Sequence, residues 1–167
     1  MKWFFGCALA TLPHVLAAQS FDPAVGALRA EWSMDAQVIR RAAELMPEAD
    51  YAFRPVETVR TFGQLIGHIV DSQRSLCAAA LGEPAPKGPS IEQTVTTKAE
   101  LLARLQASMS DCSRAYLQNL VDSAIPRGQQ SSRFTALVHN TAHNDEHYGN
   151  LVTYLRLKGL VPPSSQP

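Results

Sequence analysis

The sequence has few charged residues and no excess of either sign. Charged side chains make up 18% of the 167 residues, with 15 basic and 15 acidic groups. The basic residues form no tract and do not alternate with aromatic ones, which disfavours a nucleic-acid-binding protein. Hydrophobic residues reach 46%, so the composition excludes a disordered chain and allows a buried core. The length suits one domain.

Beyond the first twenty residues the sequence lacks any apolar run long enough to cross a membrane. The N-terminal residues are typical of an export signal, with Lys2, an apolar stretch from Trp3 to Leu12 and a small-residue exit at Ala17-Ala18. We therefore expect residues 1–18 to be a cleaved signal peptide and 21–163 to form the domain. The mature protein would be periplasmic or secreted and would have no membrane span.

Cysteine is also scarce, with three in the chain, and removal of the signal leaves Cys77 and Cys112. An oxidising compartment would allow the two thiols to pair. They could equally be small buried hydrophobic residues on neighbouring helices. The sequence leaves both interpretations open.

Strand-like alternation is missing, and the mature chain divides into four helical stretches separated by proline- and glycine-rich breaks. The predicted fold is an all-α four-helix bundle, whose first and third connections are long enough to cross over the bundle. The predicted helices occupy about residues 23–46, 61–81, 97–120 and 131–158.

Helix-capping patterns support these boundaries. Thr61 with Gln64, and Thr97 with Glu100, match the capping box that opens an α-helix. Gly159 suits the left-handed residue that closes the last helix. The second, third and fourth helices therefore each carry a recognisable end signal.

The histidines are the most informative residues of the mature chain. His139, His143 and His147 recur every four residues, so they lie along one slowly drifting stripe of the last helix. His143 and His147 can converge on one ion, and His68, flanked by apolar residues of the second helix, is the natural third ligand. A single such histidine is more often a core residue, and the stripe alone could be a solvated face. Together they favour a metal site.

Three neutral imidazoles leave coordination positions open, as in catalytic rather than structural sites. The donor set suits a divalent transition metal, with zinc or nickel first and iron or copper also compatible. Asp71, three residues after His68, could support a ligand by hydrogen bonding or be an ordinary exposed carboxylate, and His139 is expected to be a supporting or pocket residue rather than a fourth ligand. Asp71, Glu146 and Tyr148 are the candidate general bases.

Two segments resemble the DinB/YfiT-like family. Residues 61–71, TFGQLIGHIVD, are similar to the family's second-helix motif, and residues 139–150, HNTAHNDEHYGN, resemble its closing His-x-x-x-His-Arg-Gly-Gln signature. The resemblance spans about 21–163. Tyr148 and Asn150 stand where the family commonly has arginine and glutamine, and the retained Gly149 suggests a close helix approach.

The resemblance implies a four-helix bundle with a metal site on His68, His143 and His147, a small-molecule substrate or ligand, and possible homodimers. Characterised members include metal-dependent thiol transferases. We therefore hypothesise an exported metal-dependent transferase of the thiol type, or a hydrolase, acting on a small molecule. The alternative is a non-catalytic metal- or ligand-binding protein of the cell envelope.

Overall fold

The computed structural model describes residues 23–118, 120 and 125–166, and within these ranges every regular element is a helix. The predicted signal peptide, residues 1–18, lies outside the described part. No described helix has the length and apolarity of a membrane span. The helices are α1 (Pro23–Leu45), α2 (Phe62–Leu81), the short α3 (Ile91–Thr94), α4 (Lys98–Tyr116) and α5 (Arg127–Leu157), with 3-10 turns at Glu48–Asp50 and Pro163–Ser165.

The four long helices form the predicted all-α bundle. Both α1 and α2 pack against α4 and α5, so α1 and α2 occupy one diagonal and α4 and α5 the other. The connections from α1 to α2 and from α4 to α5 therefore link diagonal partners, in agreement with the expected crossing. The core between them is apolar and includes a stacked aromatic pair, Trp32 and Tyr116, with ring centroids 4.8 Å apart.

The connection between α2 and α4 runs the length of the bundle. Gln73 contacts Ser108, and Cys77 contacts Cys112, four residues further along both helices. The two helices are therefore parallel, and a parallel pair cannot be joined by a tight turn. Residues 82–97 instead return along α2 and carry α3. The sequence predicted only a break between helices in this segment.

The helix ends match their sequence signals in part. At α2 both halves of the capping box form, because Thr61 and Gln64 exchange backbone-to-side-chain hydrogen bonds of 2.9 and 3.2 Å. Gly159 has φ 73° and closes the last helix as expected. At α4 only half the box forms: Thr97 accepts from the Glu100 amide at 3.4 Å, while the Glu100 carboxylate pairs with Arg104.

The last helix begins earlier than predicted, at Arg127 rather than at 131 or 132. The carbonyl of Pro126 accepts the amides of Gln129 and Gln130 at 2.8 and 3.0 Å, which closes the first turn. Pro126-Arg127-Gly128 is one of the proline- and glycine-rich segments that predicted a break, and this part of the prediction is wrong. Proline is favoured at a helix start, and an exposed glycine in the first turn is tolerated.

The structure pairs Cys77 and Cys112 in a disulfide, with their Cα atoms 5.0 Å apart. Both residues are fully buried, so the bond joins α2 to α4 inside the core. Of the two interpretations left open by the sequence, the disulfide is the one that the structure contains.

Reducing this disulfide should destabilise the fold. The bond closes a loop of 35 residues, which the chain-entropy model values at about 3 to 4 kcal/mol of unfolding free energy. Urea unfolding of the full chain with and without reductant measures the difference. The double variant Cys77→Ala/Cys112→Ala is the control and should not respond to reductant. Identical unfolding midpoints for the oxidised and reduced wild type would contradict the bond.

Candidate metal centre

Three histidines converge between α2 and α5. Nε2 of His143 lies 3.2 Å from Nε2 of His68 and 3.0 Å from Nε2 of His147. His147 is buried and the other two are half-buried. The structure therefore brings together the three predicted ligands. Among the described residues, no cysteine, aspartate or glutamate joins this group.

The spacing of the three nitrogens fits a metal ion. A tetrahedral ion bound at 2.0 to 2.1 Å by imidazole nitrogens would hold them about 3.3 Å apart, close to the two distances observed. The nitrogens face one another, and Nε2 of His143 also lies 3.2 Å from the hydroxyl of Ser72. The donor set is compatible with a divalent metal and leaves room for a further ligand.

Burial keeps two of the rings neutral. Desolvation, followed by the nearby imidazoles of His143 and His68, lowers the pKa of His147 to about 4. Desolvation and then His68 also lower the pKa of His143. At neutral pH both rings are therefore uncharged, the form that offers a lone pair to a metal.

Glu92 fixes the orientation of His68. Its Oε2 lies 2.9 Å from Nδ1 of His68, and its Oε1 accepts from Nε of Arg60 at 2.8 Å. A carboxylate can only accept, so Nδ1 of His68 donates this hydrogen bond, and in the uncharged ring the lone pair is then on Nε2, which faces the other imidazoles. Such carboxylate–imidazole pairs support metal ligands in many proteins.

The short helix α3 reaches His68 because α2 has a glycine and an aspartate at the right positions. A Cβ on Gly67 would lie 2.6 Å from the Cα of Glu92, so only glycine allows this approach. The carboxylate of Asp71 accepts from Ser90 Oγ at 2.6 Å and from the amides of Ile91 and Glu92 at 3.0 and 3.1 Å. It thereby caps α3 from the neighbouring helix.

Buried polar contacts fix the register of α5 on α2. Gln73 donates to Asn144 at 3.2 Å and accepts from Ser108 at 2.8 Å, and both Gln73 and Asn144 are fully buried. At the other end, Tyr154 donates to the carbonyl of Arg60 at 2.7 Å. These contacts show that α5 runs antiparallel to α2, which places His143 and His147 opposite His68.

The other predicted site residues lie around the three ligands. His139 is exposed, with its ring centroid 6.3 Å from that of His143. Asp71 forms no hydrogen bond with any of the three histidines, because its carboxylate oxygens bind Ser90 and the first amides of α3. Glu146 is exposed and lines a cavity with His147. The Tyr148 hydroxyl accepts from the Ser164 amide at 2.9 Å and so faces the C-terminal segment.

The interpretation of Gly149 as a close helix contact is wrong, since a Cβ there would meet no atom within 4 Å among the described residues. Asn150 lies beside the site, with its side-chain amide 3.3 Å from Nδ1 of His147. The same Nδ2 also donates to the backbone carbonyl of Glu146 at 3.3 Å.

Glu92 is the site residue that sequence reasoning missed. It lies 24 residues from His68, on a four-residue helix inside a connection rich in proline and glycine. No periodicity marks such a short element. The only signals were the glycine one residue before His68 and the serine-first start of α3.

Comparison with known proteins identifies one family. The family model described as the DinB superfamily matches residues 31–151, a range that includes all three histidines of the centre. No curated protein gives a significant match to the chain.

Replacing Glu92 should weaken metal binding without removing it. The Glu92→Gln variant loses the negative charge beside Nδ1 of His68, and changes at such supporting groups typically cost about 10- to 100-fold in metal affinity. Competition against a chelator measures the affinity. Glu100→Gln, an exposed glutamate paired with an arginine on α4, is the matched control and should behave as wild type. An unchanged affinity for Glu92→Gln would exclude the supporting role.

Proposed function

Because the chain belongs to the DinB superfamily, we propose that His68, His143 and His147 bind one divalent transition metal ion, zinc or nickel, in a site open to a small-molecule substrate. The observation that carries the proposal is the convergence of three imidazole Nε2 atoms at 3.0 and 3.2 Å. Three protein ligands leave a coordination position for water or substrate, as in catalytic zinc sites.

A metal bound here would polarise a substrate or lower the pKa of a bound water or thiol. The chain's own residues would hold the ligands ready for it. Glu92 accepts a hydrogen bond from Nδ1 of His68 with one carboxylate oxygen, and Arg60 donates to the other. Burial keeps His147 uncharged. The proposed activity is a metal-dependent transfer to, or hydrolysis of, a small molecule.

A second candidate is a non-catalytic metal- or ligand-binding protein. It is favoured by the surroundings of the centre, where the expected general bases are engaged elsewhere or exposed: Asp71 binds α3, Tyr148 binds the C-terminal segment, and Glu146 faces a cavity. A substrate screen on the metal-loaded protein separates the two candidates. Turnover that is lost with the metal favours the enzyme.

We also propose that the mature protein works outside the cytoplasm. The signal-like residues 1–18 support this proposal. The buried disulfide between Cys77 and Cys112 supports it as well, because such bonds persist in oxidising compartments and are rare in the cytosol.

Purified protein should bind about one zinc or nickel ion per chain, and alanine at any of the three ligands should nearly abolish tight binding. His139→Ala is the matched control on the same helix. Its ring is exposed and one turn removed from His143, so the affinity should change little. Elemental analysis and chelator competition measure both quantities. If His139→Ala lost as much metal affinity as His143→Ala while His68→Ala kept the wild-type affinity, the site would lie on α5 alone.

A further inference from the structure

A cavity of about 600 Å³ opens beside the three histidines. Its walls are one face of α2, residues 86–90 of the long connection, and His139 with His143 on α5. The volume lies within the range of pockets that hold small molecules. The proposed metal centre is at one end of this cavity, since His68 and His143 belong to its lining.

The acidic groups of the cavity wall are already paired. Asp71 accepts three hydrogen bonds from Ser90 and the first amides of α3. Glu92 binds Arg60 and His68 at 2.8 and 2.9 Å. Neither carboxylate therefore needs a cation from a ligand, and neither presents an unscreened negative charge to the cavity.

Arg74 is the positively charged residue in the lining of this cavity. Its side chain is 31% exposed, and its ion pair is a long contact of 3.7 Å from Nη1 to Oδ1 of Asp71. A guanidinium has five donors, so most remain available to a ligand. Ser72 adds a hydroxyl close to the histidines, 3.2 Å from Nε2 of His143.

A second cavity of about 590 Å³ on the His147 side is less suited to an anion. Its cation, Arg60, already pairs with Glu92 at 2.8 Å, and the exposed Glu146 adds a negative charge to its lining. The two cavities share Glu92, but with the ion pairs counted as neutral the second has an additional negative group, Glu146, and the first has none. An anionic ligand would therefore enter on the Arg74 side.

We infer that the Arg74 cavity binds a small linear carboxylate with a second polar group directed at the histidines. The inference rests on the proposed metal function, because the second group would approach the open coordination position. Arg74 follows His68 by six residues, a rise of about 9 Å along the helix, so the ligand is several bonds long. Inorganic phosphate is too short to span this distance, so it should compete only weakly with a linear carboxylate.

Three probes test the site on the full chain: adipate, which has six carbons and two carboxylates, hexanoate, which has the same length and one carboxylate, and inorganic phosphate. On zinc-loaded protein, calorimetry should give adipate an affinity about tenfold above that of hexanoate, the value of one charged hydrogen-bonded contact. Arg74→Gln should remove this preference and leave the zinc content unchanged. Arg104→Gln, an exposed arginine paired with Glu100 on α4, is the control and should keep it.

The same titration on metal-free protein separates this inference from the proposed function. Adipate should still shift the side-chain Nε–H signal of Arg74 in a nitrogen-15 NMR spectrum. If the protein does not bind zinc but adipate still shifts the Arg74 signal, the metal function is refuted and the carboxylate site is not. Any one of four results would overturn the carboxylate site. The Arg74 signal shifts with neither protein form, or adipate and hexanoate bind equally. Alternatively, the preference for adipate survives Arg74→Gln, or phosphate competes at Arg74 more strongly than adipate does.

Discussion

The structure depends on holding three imidazoles together, with Nε2 of His143 3.2 Å from that of His68 and 3.0 Å from that of His147. One ring comes from α2 and two from consecutive turns of α5, so the geometry requires an antiparallel pair in a single register. A slip of one helical turn would move the rings by about 5.4 Å and separate them. The buried contact of Gln73 with Asn144, and that of Tyr154 with the carbonyl of Arg60, oppose such a slip.

The long connection between the parallel helices α2 and α4 completes this arrangement. It must run back along α2, and Gly67 lets its backbone lie directly against the helix. Asp71 then caps α3, and Glu92 reaches His68. The same segment forms one wall of the cavity that contains Arg74. The segment that joins two parallel helices thus provides both the carboxylate beside His68 and one wall of the cavity.

Sequence reasoning predicted the bundle and the three histidines that converge in it because their signals are local: capping pairs, proline breaks and histidines four residues apart. Glu92 was missed since its role depends on the path of the connection and on the close approach at Gly67. The pairing of Cys77 with Cys112 stayed open because helix adjacency cannot be read from spacing. Asp71 was singled out for its nearness in sequence to His68, yet its side chain points to α3. The early start of α5 was missed because Gly128 looked like a breaker.

The most direct measurement is anomalous X-ray scattering from crystals of the metal-loaded protein, collected on both sides of the zinc or nickel absorption edge. We expect one strong peak per chain, about 2.0 to 2.1 Å from Nε2 of His68, His143 and His147, with Glu92 still at Nδ1 of His68. A peak that includes His139 in place of His68, or none between α2 and α5 after metal loading, would contradict it.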